Sequence, residues 1–264
     1  MGEPAIAVES LSFSIAGKAI LRNISARIEA GQTWSIIGAN GAGTSTLLKC
    51  LMRIHSGWSG RAYLHGRDLR RCSQRELARS IAYVPQPGGD QQFPYTVREF
   101  VRMGRYAYSG PFGTAHPGDQ AAIDAAMKRA DVEAFADRTL NALSGGERQK
   151  VFVAAALAQG GNVLLLDEPT AFLDYRHQVE VAGILQSINR ESGATILSVT
   201  HDVNAAMLAG GNVLALRDGE VTWTGPAADL ACEKTLAGIF DASFRFLDDP
   251  VTGLRLVAPQ GAVR

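Results

Sequence analysis

Three groups of residues in this chain have the types and spacing to handle an oxygen-rich anion. The first is Gly38-Ala39-Asn40-Gly41-Ala42-Gly43-Thr44-Ser45-Thr46. Glycines let successive backbone N–H groups converge on one anion, and a helix starting just after them adds its positive end. The Ser45 hydroxyl is a hard oxygen donor suited to Mg2+. The second is Val163-Leu164-Leu165-Leu166-Asp167-Glu168-Pro169, an apolar run that delivers two carboxylates at its end. Asp167 can hold a divalent cation, mostly through water, and Glu168 can take a proton from an attacking water. The third is Leu143-Ser144-Gly145-Gly146-Glu147-Arg148-Gln149, where a serine and two glycines open a helix and leave bare amides at its positive end. Each group alone also has a plain structural reading: a glycine turn, a solvated acidic turn, a helix cap.

The first group departs from the phosphate-loop pattern at one place. That pattern puts lysine before the serine, and this chain has Thr44. A threonine hydroxyl donates one hydrogen bond but carries no charge for the β- and γ-phosphates. A hydrogen bond to a charged group contributes about 1.5–3 kcal/mol, so the change weakens nucleotide binding by roughly ten- to a hundred-fold. Lys49 lies a turn further along the helix and is expected to point away.

The elements that must position these groups follow from the pattern of apolar residues. Residues 5–30 alternate apolar and polar about the turn Ala16-Gly17-Lys18, as antiparallel β structure does. Thr33 to Ile37 reads as a buried strand, the glycine loop follows, and Ser45 to Ile54 reads as a helix. Strands are expected at Arg61–His65, Ser80–Val84, Val163–Leu166 and Thr195–Thr200. Helices are expected from Asp119, with Ile123, Met127 and Ala130 on one face, over Gln178–Glu191, and from Val203. Hairpins are expected around Asp218-Gly219 and in the tail, where Phe244–Leu247 and Leu254–Val257 flank Asp248-Asp249-Pro250-Val251-Thr252-Gly253.

Composition excludes several classes. The chain has 264 residues, 46 % hydrophobic and 20 % charged, with zero net charge, so no basic field marks it for nucleic acid. Its three cysteines form no C-x-x-C pair, which argues against a disulfide framework or zinc site and suits a reducing compartment. No run of about 18 apolar residues could span a bilayer. The start lacks the basic and apolar regions of a signal peptide. A cytoplasmic protein is expected.

The order phosphate loop, Leu143-Ser144-Gly145-Gly146-Glu147, then Asp167-Glu168 resembles the ATP-binding subunits of ABC transporters, over nearly the whole chain. The resemblance implies an α/β phosphate-loop NTPase core with an N-terminal antiparallel β subdomain and a helical insert. As one domain over 1–264, it would have a nucleotide-binding core at about 1–86 and 159–225. A helical subdomain at about 87–158 would carry the signature motif, and a C-terminal helix and β-hairpin tail would occupy about 226–264. Residues 38–46 would bind ATP, with Mg2+ held by Ser45, Gln86 and Asp167, while Glu168, His201 and Gln86 would serve hydrolysis. Two copies would pair head to tail, so that Ser144, Gly145, Gly146, Glu147 and Asp174 touch the partner's ATP. Family members stack adenine on an aromatic where this chain has Ile15; Phe13, on the same strand face, is the substitute, unless it only packs in the core.

Softer matches narrow the kind of transporter. Thr96-Val97-Arg98-Glu99, Met103-Gly104-Arg105-Tyr106, Asp174-Tyr175-Arg176-His177-Gln178 and the tail hairpin resemble importers of iron–siderophore, haem and cobalamin chelates. The implied partners are integral membrane permease subunits and an extracytoplasmic substrate-binding protein, with no nucleic acid. The implied place is peripheral, at the cytoplasmic face of the inner membrane. Two alternatives stay open: a nucleotide-binding ABC subunit with little turnover because of Thr44, and a soluble ABC protein with no transport role.

Overall fold

A computed structural model describes residues 3–86, 93–110, 114, 116–248, 250 and 255–260. The elements run β1 (Pro4–Ile15), β2 (Lys18–Glu29), β3 (Thr33–Gly38), α1 (Thr44–Leu51), β4 (Ser59–Leu64), β5 (Arg67–Asp68), α2 (Gln74–Ser80), β6 (Ile81–Val84), α3 (Val97–Met103), α4 (Asp119–Arg129) and α5 (Gly145–Gln159). They continue with β7 (Val163–Asp167), α6 (Tyr175–Ser192), β8 (Thr195–Val199), α7 (Val203–Ala209), β9 (Asn212–Arg217), β10 (Glu220–Pro226), α8 (Glu233–Phe240), β11 (Phe244–Asp248) and β12 (Arg255–Pro259). The chain divides into two compact units, residues 1–70 with 197–264, and residues 71–196; the division falls within β8.

In the first unit, β1 and β2 form a long antiparallel hairpin, and the antiparallel sheet has the order β2-β1-β4-β5. Ile6, Leu11, Leu21 and Ile24 are its largest fully buried side chains, in keeping with the alternation of the sequence. β3 pairs in parallel with β9, which pairs antiparallel with β10. α1 stops at Leu51, short of the expected Ile54, because Arg53 turns to a left-handed φ of 54°. β11 and β12 pair from Phe244↔Pro259 to Asp248↔Arg255. Of the expected tail turn, residues 249 and 251–254 lie outside the described residues. The hairpin is fastened by Asn204 of α7, whose amide donates to Val257 O at 2.9 Å and accepts from Val257 N at 2.8 Å.

In the second unit, β6 and β7 run parallel, Val84 opposite Leu166. Every residue of β7 is buried, as a strand covered on both faces requires. The core joins Val101, Ile123, Met127, Val151 and Phe152. Ile123, Met127 and Ala130, expected on one face of α4, are all buried. Three helices here open on reciprocal caps of the Ser/Thr-x-x-Glu kind: Ser73 with Glu76, Thr96 with Glu99, and Ser144 with Glu147. α2 itself escaped the periodicity reading, although Ser73-Gln-Arg-Glu76 signals its start. Arg105 and Asp119 form a buried ion pair at 2.8 Å, and Arg105 also donates to Ala158 O at 2.8 Å. The guanidinium holds the Asp119 carboxyl below the ordinary aspartate range.

Two outcomes follow. Asn204→Ala removes both bonds to Val257 and should lower stability by about 1–3 kcal/mol, read by thermal unfolding, with faster amide exchange at Val257. Asp119 has a depressed pKa, so its contribution is present above the ordinary aspartate range and lost as pH falls through the lowered value. Asp119→Asn, which leaves Arg105 buried without a counter-charge, should cost about 3 kcal/mol near neutral pH. The gap to the parent should narrow in acid unfolding curves.

Candidate functional site

The first unit contributes the glycine loop. β3 is buried from Trp34 to Gly38, and the chain becomes exposed at Ala39, Asn40 and Gly41 before returning to buried Ala42 and Gly43. The turn is closed by Ala42 N donating to Ala39 O at 2.9 Å. Gly43 caps α1 in the left-handed region, φ +98°, and a Cβ there would lie 2.7 Å from Leu21 Cδ2. Only glycine satisfies both conditions. The cap brings no side-chain bond and the first turn of α1 holds no acidic residue, so its positive end is not offset from within. Thr44, Ser45 and Thr46, half-buried, form that turn, whereas Lys49 falls in the last one.

His201 is exposed just past β8, where Thr200 N donates to Ile36 O at 3.0 Å, two residues before Gly38. Its neighbour Asp202 caps α7. Phe13, the expected base-stacking residue, is 8 % exposed and its ring already stacks on His55, centroids 5.0 Å apart. A base would have to displace His55 to use that face. Ile15, at the end of β1, is exposed.

The second unit contributes the carboxylates. β7 ends on Asp167, 5 % exposed, which accepts from the Tyr83 hydroxyl at 3.4 Å. Burial, then the Asp167 charge, pushes the Tyr83 phenol up to about 12, so it stays a donor throughout the physiological range. Tyr83 was not singled out from sequence; its position opposite Leu165 in the β6–β7 register is what brings it there. The next residue, Glu168, takes a left-handed φ of 47°, a conformation that costs of order 1 kcal/mol for a non-glycine. Gln86, just past β6, donates from Nε2 to Glu168 Oε2 at 3.5 Å. Two carboxylates, a phenol and an amide thus gather at the C-terminal ends of a parallel pair, where α/β sheets hold ligands.

The same unit contributes the second helix start. Ser144 Oγ accepts from Glu147 N at 3.2 Å, and Glu147 Oε2 accepts from Ser144 N at 2.8 Å. That backbone bond holds the Glu147 carboxyl below its ordinary range. Asp174 caps α6, accepting from His177 N at 2.9 Å. The His177 ring lies against Gly146: a Cβ at 146 would come within 2.1 Å of it. Sequence reasoning missed His177 as a neighbour of the signature turn, and the only available signal was its spacing of three from Asp174 at a helix start. Oxygen donors of the kind Ser45 and Asp167 supply suit Mg2+, which takes one or two protein oxygens and fills its shell with phosphate and water. Among the described residues no group of three or more His, Cys, Asp or Glu could hold a metal without such help.

The chain has relatives among known proteins. Residues 21–171 match the ABC transporter family. The Iron(3+)-hydroxamate import ATP-binding protein FhuC of Bacillus subtilis is 36 % identical, over 94 % of this chain and 91 % of that protein. The Hemin import ATP-binding protein HmuV of Streptomyces coelicolor is 37 % identical, over 98 % and 91 %. The fold is similar to that of a metal-chelate type ABC transporter solved in an inward-facing conformation, with a TM-score of 0.85, 24 % identity and 98 % of each chain covered. With the family match spanning the glycine loop, the signature turn and the Asp167-Glu168 strand, this chain belongs to the ABC transporter family as an ATP-binding protein.

Proposed function

We propose that this chain is the ATP-hydrolysing subunit of an importer for metal chelates of the iron–siderophore and haem class, with cobalamin chelates as close chemical kin. The likeness to FhuC and HmuV supports the substrate class. The observation that carries hydrolysis is the pairing of Gln86 with Glu168, one residue beyond buried Asp167.

In this reading the amides of residues 39–46 bind the phosphates of ATP. Ser45 and Asp167 would hold Mg2+, with Gln86 sensing it; the ion would neutralise phosphate charge. Glu168 takes the proton of the attacking water, oriented by Gln86, and His201 reaches the γ-phosphate. A second copy supplies Ser144, Gly145, Gly146, Glu147 and Asp174 to complete the site. The helical subdomain at about 87–158 receives the permease. None of the helices among the described residues is long and apolar enough to cross a membrane. In this reading the pore belongs to separate permease subunits, fed by an extracytoplasmic binding protein, with this chain peripheral at the cytoplasmic face.

Thr44 favours a second reading, a subunit that binds nucleotide with little turnover. The first turn of α1 carries no cation, and Lys49 lies in the last turn. Thr44→Lys should tighten ATP binding by roughly ten- to a hundred-fold and raise turnover of the purified chain and its permease complex. Equal turnover in parent and variant would remove Thr44 as the limit; tighter binding without any turnover would count against the hydrolytic reading. In the Thr44→Lys chain, Glu168→Gln should lose hydrolysis by a factor of about 100 or more, as expected of a general base, and keep ATP binding by equilibrium titration.

A further inference from the structure

We propose that His177 is a positioning residue that ties the start of α6 to the signature turn, holding the first amides of α5 in place for the nucleotide of a second copy. The proposal rests on the head-to-tail reading above.

The geometry is unusual for a helix cap. Asp174 performs the ordinary capping bond to His177 N at 2.9 Å, yet both of its carboxylate oxygens also lie 2.9 Å from His177 Nδ1. A carboxylate can only accept, so Nδ1 carries the proton toward it. This fixes the ring at its root. The imidazole is then turned inward: its side chain is 21 % exposed, between Tyr175 and Arg176, which are almost fully exposed, on one side and half-buried Gln178 on the other. Its inward surface meets Gly146, where a Cβ would come within 2.1 Å of both Cγ and Cδ2.

The two signature glycines therefore differ. Around Gly145 a Cβ would meet nothing within 4 Å, while Gly146 is glycine because the ring occupies the space. Packing within the chain accounts for Gly146 alone, and the open side at Gly145 is left for a ligand from outside. Donors fixed in advance bind a developing anion without reorganising. The Ser144–Glu147 cap holds this turn from one side and the His177 ring holds it from the other. Its effect is confined to the site that α5 completes in the second copy.

The test uses the full chain carrying Thr44→Lys and Glu168→Gln, so that ATP binds and is not consumed. Sedimentation reads ATP-dependent dimer formation, and a fluorescent ATP analogue reads binding by the monomer. His177→Ala should leave monomer binding within about two-fold and raise the ATP concentration for half-dimerisation about tenfold or more. His177→Asn, whose amide nitrogen can take the place of Nδ1 against Asp174, should recover most of that loss, which a merely space-filling role would not predict for Asn over Leu; His177→Leu should stay impaired. If the parent dimerises and His177→Ala dimerises equally, the positioning role is overturned. If His177→Leu recovers as well as His177→Asn, the tie to Asp174 is overturned. A parent that binds ATP and never dimerises overturns the head-to-tail reading itself, and the proposal with it.

Discussion

A strand buried on both faces can carry polar chemistry only where it leaves the sheet. β3 and β7 obey this constraint, and the candidate site depends on it. β3 is buried from Trp34 through Gly38, and β7 is buried from Val163 through Asp167. Their interiors are mainly apolar, as at Ile36, Ile37 and Leu164 to Leu166, with Ser35 the one buried polar side chain inside β3. Each strand therefore releases its polar groups at one end: the amides of residues 39–43 after β3, and the carboxylates of Asp167 and Glu168 after β7. The core does not merely stabilise these ends. It fixes where they are, because a slip of one residue along β7 would draw the Glu168 carboxylate into the buried stretch.

The groups at those ends are held by different means. The glycine loop uses backbone geometry, with Gly43 in a left-handed conformation that also clears Leu21. The carboxylates use donors: Tyr83 on Asp167 and Gln86 on Glu168. The signature turn uses a reciprocal cap and a ring laid over a glycine. The first turn of α1 holds neither an acidic side chain nor the pattern's lysine. Within that turn an anion finds amides and hydroxyls in place of the pattern's ammonium, which is why Thr44 matters to the energetics of nucleotide binding.

Local rules made much of the fold legible. Alternation placed β1 and β2, and a period of 3.6 placed the buried face of α4. Caps were the harder signal. α6 begins at Tyr175, three residues before the expected Gln178, because Asp174 caps it and the intervening Tyr175 and Arg176 face outward. α2, a short helix with one buried residue, Leu77, offers no periodicity to read.

By itself the sequence determined the family, the order of the three anion-handling groups and the missing lysine. These are properties of residue type and spacing along the chain, and they can be read before the fold places any group. Tertiary structure decided which side chains serve those groups. Phe13 faces His55, forty-two residues away in the chain. Tyr83 reaches Asp167 only through the β6–β7 register, and His177 reaches Gly146 only because α5 and α6 meet. Such contacts depend on distances between elements far apart in sequence, which no local pattern of residues encodes.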